Sequence, residues 1–234
     1  MLMGNLFSSF DPQVSIIGMN LSLNWISSFL VLVMIPQAYW IMNNQLTLFY
    51  KNLFNMIKIE LGALFSPLVI PGTSLLFVSF FVFIITCNFA GLFPYVFTPT
   101  SHLSMTLSLS LPLWLGTMLW SIVFNFNSMM AHLVPTGTPP ALMPVMVIIE
   151  TVSSIIRPGT LAVRLAANMV AGHLLLTLLG GQGANAPLIV IGSLILLLML
   201  ECAVACIQAY VFTILNSLYL NELISTSFNK QMVK

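Results

Sequence analysis

Charge is what this sequence has least of. Only 11 of its 234 residues are charged, 6 Lys or Arg against 5 Asp or Glu, a share of 5%. Soluble domains carry about 25%, and a water-facing surface needs at least that proportion. An ordinary soluble globular enzyme is therefore excluded. Six basic residues cannot build a phosphate-reading patch, which excludes a nucleic-acid binder. Cysteine is scarce too: Cys87, Cys202 and Cys206 all lie in apolar runs, and an odd number gives no disulfide framework. Cys202 and Cys206 stand four apart on one helix face, but no His has matching spacing. They read as small packing residues, and neither a metal nor a cofactor is expected. A Gly-rich phosphate loop is missing, so ATP chemistry is not expected of this chain itself. No basic segment precedes the first apolar run, and no Arg-rich presequence is visible. A chain of this kind that works in an organelle would be made there.

What fills the chain is apolar surface: 59% of residues are hydrophobic and the mean hydropathy is +1.05. That richness excludes disorder and leaves an all-α integral membrane protein. The expected architecture is one membrane domain over residues 1–234, with about five transmembrane helices and one interfacial amphipathic helix. The first span is expected at 21–42, uncharged, kinked by Pro36 and ending in the interfacial aromatics Tyr39 and Trp40. Residues 45–65 differ, because Lys51, Asn55, Lys58 and Gly62 recur along one face. They predict a helix lying in the interface, stopped by Pro67 and Pro71. Further spans are expected at 73–93 and 103–124, with a polar, proline-rich connection over 125–144. Two long runs, 145–179 and 187–224, close the chain around the connector 180–187. Fully helical, they would measure about 50–55 Å, against a hydrocarbon core of ~30 Å. They predict a long, steeply tilted helical hairpin, with Pro158 as a place to bend.

Placing the N-terminus outside puts Lys51, Lys58, Lys230 and Lys234 on one side, as the positive-inside rule asks. The remaining charges are less easily placed. Between Leu61 and Ile149 no charged residue occurs, yet the closing hairpin holds Glu150, Arg157, Arg164, Glu201 and Glu222, with His173, Asn168 and Gln208. An arginine near a bilayer centre costs from about 2.5 to more than 10 kcal/mol. Glu150, Arg157 and Arg164 are seven apart, so two-turn steps keep them near one face, and Asn168 follows Arg164 by four. Glu201, Gln208 and Glu222 step by 7 and 14. Each helix thus carries one polar stripe that antiparallel packing can bring to a shared surface. Arg157 and Glu222 are also compatible with snorkelling to the interface. His102 and His132 read as loop or helix-end residues, and His173 alone is compatible with a packing histidine. Arg164 resists that kind of reading: it is surrounded by apolar or small residues, with no carboxylate three or four positions away.

In the expected topology His173 and Glu201 fall toward the outer side and Glu150 toward the inner side. Arg164, which cannot give up its proton, lies between them. That layout suggests two proton paths, each opening to one membrane face, with an electrostatic block between. An ion antiporter is the alternative, but such folds show repeats and interrupted half-helices, and neither is visible. A haem-bearing electron carrier would want paired histidines.

The stretches IRPGTLAVRLAANMVAGHLL at 156–175 and LECAVACIQAYVFTIL at 200–215 closely resemble subunit a of the F-type rotary ATP synthase, in its animal mitochondrial, arthropod-like form. FSSFDP at 7–12, NFAGLFPYVFTPTSHL at 88–103 and HLVPTGTPPALMP at 132–144 match in the same order. The resemblance implies a proton-conducting stator subunit beside a rotating c-ring, with peripheral-stalk and other membrane subunits as partners. It implies that Arg164 is the essential charge facing the ring. His173 and Glu201 would line the half-channel to the intermembrane space and Glu150 that to the matrix, with Asn168 and Gln208 as polar neighbours of the arginine. Bacterial relatives exchange the residue types at 173 and 201. The implied location is the mitochondrial inner membrane, N-terminus toward the intermembrane space and C-terminus toward the matrix.

Overall fold

The computed structural model of the chain describes residues 6–16, 19–33, 44–64, 72–94, 96–134, 139–140, 142–181 and 187–229. It opens with a 3-10 turn (Leu6–Phe10) and a two-stranded antiparallel ribbon, β1 (Val14–Ile16) and β2 (Met19–Leu21), paired Val14 with Leu21 and Ile16 with Met19. A second 3-10 turn (Leu23–Trp25) leads into α1 (Ile26–Val33). The first span was expected from residue 21, but Leu21 still belongs to the ribbon and the α-helix begins at Ile26. The reason is visible in MNLSLN at 19–24, where apolar and polar residues alternate with the period of a strand. Pro36, Tyr39 and Trp40 lie outside the described residues, as do Pro67 and Pro71.

Five more helices follow: α2 (Gln45–Leu64), α3 (Thr73–Gly91), α4 (Leu103–His132), α5 (Met143–Gly181) and α6 (Pro187–Asn229). α4 runs eight residues beyond 124, into the stretch expected to be a connection. Asn125, Asn127 and Ser128 are polar, but neither Gly nor Pro interrupts the chain before Pro135, so the helix continues. Among the described residues four helices are long and apolar enough to cross a bilayer: α3, α4 over Leu103–Val123, α5, and α6 over Leu188–Asn221. α5 has 39 residues and α6 has 43, or about 58 and 64 Å at 1.5 Å per residue. Both exceed the hydrocarbon core about twofold, so the pair must incline steeply or reach beyond it.

The packing differs from that of a soluble domain in how much large apolar surface it leaves outside. α3, α4, α5 and α6 form the central cluster, and α1 and α2 lie against α3. At its centre Ile84, Leu161, Leu165, Ala209 and Phe212 pack together. Around them the fully buried positions are small or hydroxyl-bearing: Ala162, Thr106, Ser110, Thr213 and Ser217. The large aliphatics, such as Ile148, Leu188, Ile195 and Leu196, face outward. In lipid no hydrophobic force drives helices together, so close approach through small residues does that work. Three of these hydroxyls cost little because they bond within their own helix: Thr106 to the carbonyl of Leu103, Thr213 to those of Ala209 and Tyr210, and Ser217 to that of Ile214.

Candidate functional site

α5 and α6 are antiparallel, and their register is set by three facing groups. Arg157 meets Tyr219, Arg164 lines a narrow cleft with Gln208, and Gly172 meets Glu201. The two polar stripes read from the sequence therefore share one surface at the middle of the hairpin. Leu161, Leu165, Val211 and Phe212 complete the cleft wall. Arg164 itself is exposed on the hairpin's outward face, with Val163 and Ile207 exposed beside it. Among the described residues no carboxylate lies within ion-pair distance of Arg164. Asn168, one turn on, is half-buried.

Toward the chain's N-terminal ribbon the hairpin closes over acid and imidazole. Glu201 is only 9% exposed, and neither carboxylate oxygen has a hydrogen-bond partner among the described residues. Its side chain packs on Gly172, where a Cβ would collide with the carboxylate, 2.8 Å from its carbon. A larger residue there would have to push the Glu201 carboxylate aside. His173, the next residue, is half-buried, and its Nε2 is likewise without a partner. Phe10 sets its ring edge-on to the imidazole, centroids 6.2 Å apart. The Phe10 carbonyl in turn accepts a hydrogen bond from Nε2 of His102 at 3.0 Å. His102 is the N-cap residue of α4, its ring clustered with those of Trp25 and Phe97 at 5.3 and 5.2 Å. It is a helix-end residue, as its sequence context implies, and it ties the N-terminal segment down. His132 is the last residue of α4.

At the opposite end Glu150 and Arg157 are partners. Nη2 of Arg157 lies 3.5 Å from Oε1 of Glu150, and the guanidinium sits 4.9 Å from the Tyr219 ring centroid. Arg157 therefore does not simply snorkel into the interface: it has a carboxylate and an aromatic face within this chain. Glu222 belongs to the last turns of α6. Cys87 is buried and Cys202 half-buried, and no group of three or more His, Cys, Asp or Glu able to hold a metal occurs among the described residues.

Sequence reasoning missed two buried polar groups. Asn88, on α3, is 1% exposed; its Nδ2 donates to the Ala205 carbonyl at 3.4 Å, one turn past Glu201, and its Oδ1 has no partner. Thr100, in the 3-10 turn Pro99–Ser101, is fully buried with its hydroxyl equally unpartnered. Native interiors leave few such groups, so several orphaned polar atoms in this one helical cluster mark it as a place built for something polar. The available signal was Asn88, the one amide side chain in an uncharged 19-residue helix, in its last turn.

Comparison with known proteins identifies the family. The family model described as ATP synthase A chain matches residues 21–221. The chain is 54% identical over 226 residues to "ATP synthase subunit a" of Aedes aegypti, covering 94% of this chain and 99% of that one. It is 52% identical over 225 residues to the protein of the same name from Drosophila melanogaster, with the same coverage. With the family model spanning most of its length and relatives aligned nearly end to end, this chain belongs to the ATP synthase A chain family.

Proposed function

We propose that the chain is the proton-conducting stator subunit of a rotary ATP synthase in the mitochondrial inner membrane. The observation that carries this is Arg164: a permanent cation on the exposed face of a long apolar helix, with no counter-charge among the described residues of its own chain. A charge so placed is expensive in lipid and calls for an anion on a partner surface. A ring of subunits that each bear a membrane carboxylate supplies it.

The residues then take the following parts. A proton enters from the intermembrane space past His173 and Glu201, whose unpartnered polar atoms suit a hydrated path that Asn88 also lines. It neutralises a ring carboxylate, which can then face lipid. After most of a revolution that carboxylate meets Glu150, on the surface at the other end of the hairpin, and gives its proton up toward the matrix. Arg164, with Asn168 and Gln208 about it, attracts each unprotonated ring site and repels a proton seeking the short way through. The N-terminus lies toward the intermembrane space and α2 lies in the matrix-side interface, with Lys51 and Lys58 on its polar face. Nothing in the chain favours an antiporter over this reading. The test is Arg164→Ala in the assembled complex reconstituted into vesicles. Proton-driven ATP synthesis is expected to vanish while the subunit still co-purifies with the c-ring; near-normal synthesis overturns the proposal.

A further inference from the structure

Arg157, the partner of Glu150, is given no part in the proton path above. We infer that Arg157 is a positioning residue: seated on the Tyr219 ring of α6, its guanidinium holds the Glu150 carboxylate of α5 in place at the hairpin surface. This rests on the reading of Glu150 as the proton-releasing carboxylate of the matrix-side path.

Three observations carry it. First, reach and direction agree. Arg157 is two turns C-terminal to Glu150, and helical side chains lean toward the N-terminus, so a long Arg leans toward the acid. Nη2 lies 3.5 Å from Oε1. Second, the arginine is anchored from the other helix, 4.9 Å from the ring centroid of Tyr219, within the ~6 Å over which an aromatic face attracts a cation. Third, the contact holds without closing. A tight charge-assisted bond measures about 2.7–2.9 Å, so this one is loose. The Glu150 side chain keeps 46% of its surface accessible, so the carboxyl group can still be reached by a proton. Proton transfer demands hydrogen-bond reach between donor and acceptor, and a free glutamate on a helix surface samples several rotamers of which few satisfy that. A clamp spanning α5 and α6 selects among them. Arg164, one two-turn step further along the same stripe, lacks any such anchor among the described residues. One residue type is thus used in two ways, as a fixed clamp and as an open charge.

The experiment is proton-driven ATP synthesis by the reconstituted complex, normalised to subunit bound to the c-ring so that assembly losses are counted separately. Arg157→Gln is expected to slow synthesis about fivefold in the native background, yet by less than about 1.5-fold when combined with Glu150→Asp, whose shorter side chain is already beyond the clamp. Arg157→Lys should recover part of the loss, and Tyr219→Phe, which keeps the ring face, nearly all activity. Tyr219→Leu should reproduce Arg157→Gln. Fully additive losses, or a Tyr219→Leu protein as active as Tyr219→Phe, overturn the inference while leaving the role of Glu150 standing. Unchanged synthesis in Glu150→Gln overturns that role, and this inference with it.

Discussion

The two ends of the α5–α6 hairpin hold the same residue type in opposite surroundings. Glu150 is accessible over nearly half its side chain, paired with Arg157, and lies where α5 begins. Glu201 is nine-tenths buried, has no partner for either oxygen among the described residues, and packs against a glycine that leaves no room for a methyl group. A carboxylate at a surface can exchange protons directly with whatever passes it. A carboxylate inside a helical bundle can do so only through an intervening polar path. The difference therefore assigns different requirements to the two ends: positioning at the first, hydration at the second. Arg164, between them on the exposed face, belongs to neither set of contacts.

Four tests probe that contrast, beyond the alanine test of Arg164. The largest effect is expected from Arg164→Lys. The charge is kept, but a buried ammonium can lose its proton where a guanidinium does not, so synthesis should fall by more than about tenfold; full activity would show that any cation suffices. Next, Glu201→Gln should slow synthesis about tenfold or more, as loss of a proton-transferring group does. Gly172→Ala should mimic it in part, by several-fold, because the new methyl group must displace the Glu201 carboxylate. If Gly172→Ala is silent, the observed packing of Glu201 is not the working one.

Third, a cysteine at His173 or Glu201 should react with a membrane-impermeant thiol reagent added from the intermembrane-space side and not from the matrix side. Labelling from the matrix refutes the shared outer path. The smallest effect is expected from Asn88→Leu. This removes one polar lining atom and a long 3.4 Å bond, and should cost about two- to threefold in proton conduction with assembly intact. A loss equal to that of Glu201→Gln would make Asn88 a relay in its own right.

Much of this molecule was legible in the sequence, for reasons that also explain what was not. The hairpin could be read because α5 and α6 contain few helix breakers and their charges repeat every seven residues, a spacing that projects onto one face whatever the tertiary context. The position of Arg164 beside Gln208 followed from those stripes. The ribbon of Val14–Ile16 and Met19–Leu21 escaped because its strands have only three residues each, and the alternation at 19–24 runs straight into the apolar stretch that follows. The end of α4 escaped because Asn125, Asn127 and Ser128 look like a connection, while helix continuation depends on the absence of Pro and Gly rather than on polarity. Asn88 and Tyr219 escaped for a different reason. Their partners, Ala205 and Arg157, lie 117 and 62 positions away, and no local pattern encodes a contact across helices.

Contacts far apart in the chain also order the steps by which it can be fastened. The Phe10 carbonyl bonds His102 at the start of α4, and its ring rests on His173 of α5. One side of its seat therefore exists once α4 is in place, and the other only after the much longer loop to α5 has closed. The Leu6–Phe10 turn is thus fastened in two stages, and only the second reports that α5 has reached its place beside it.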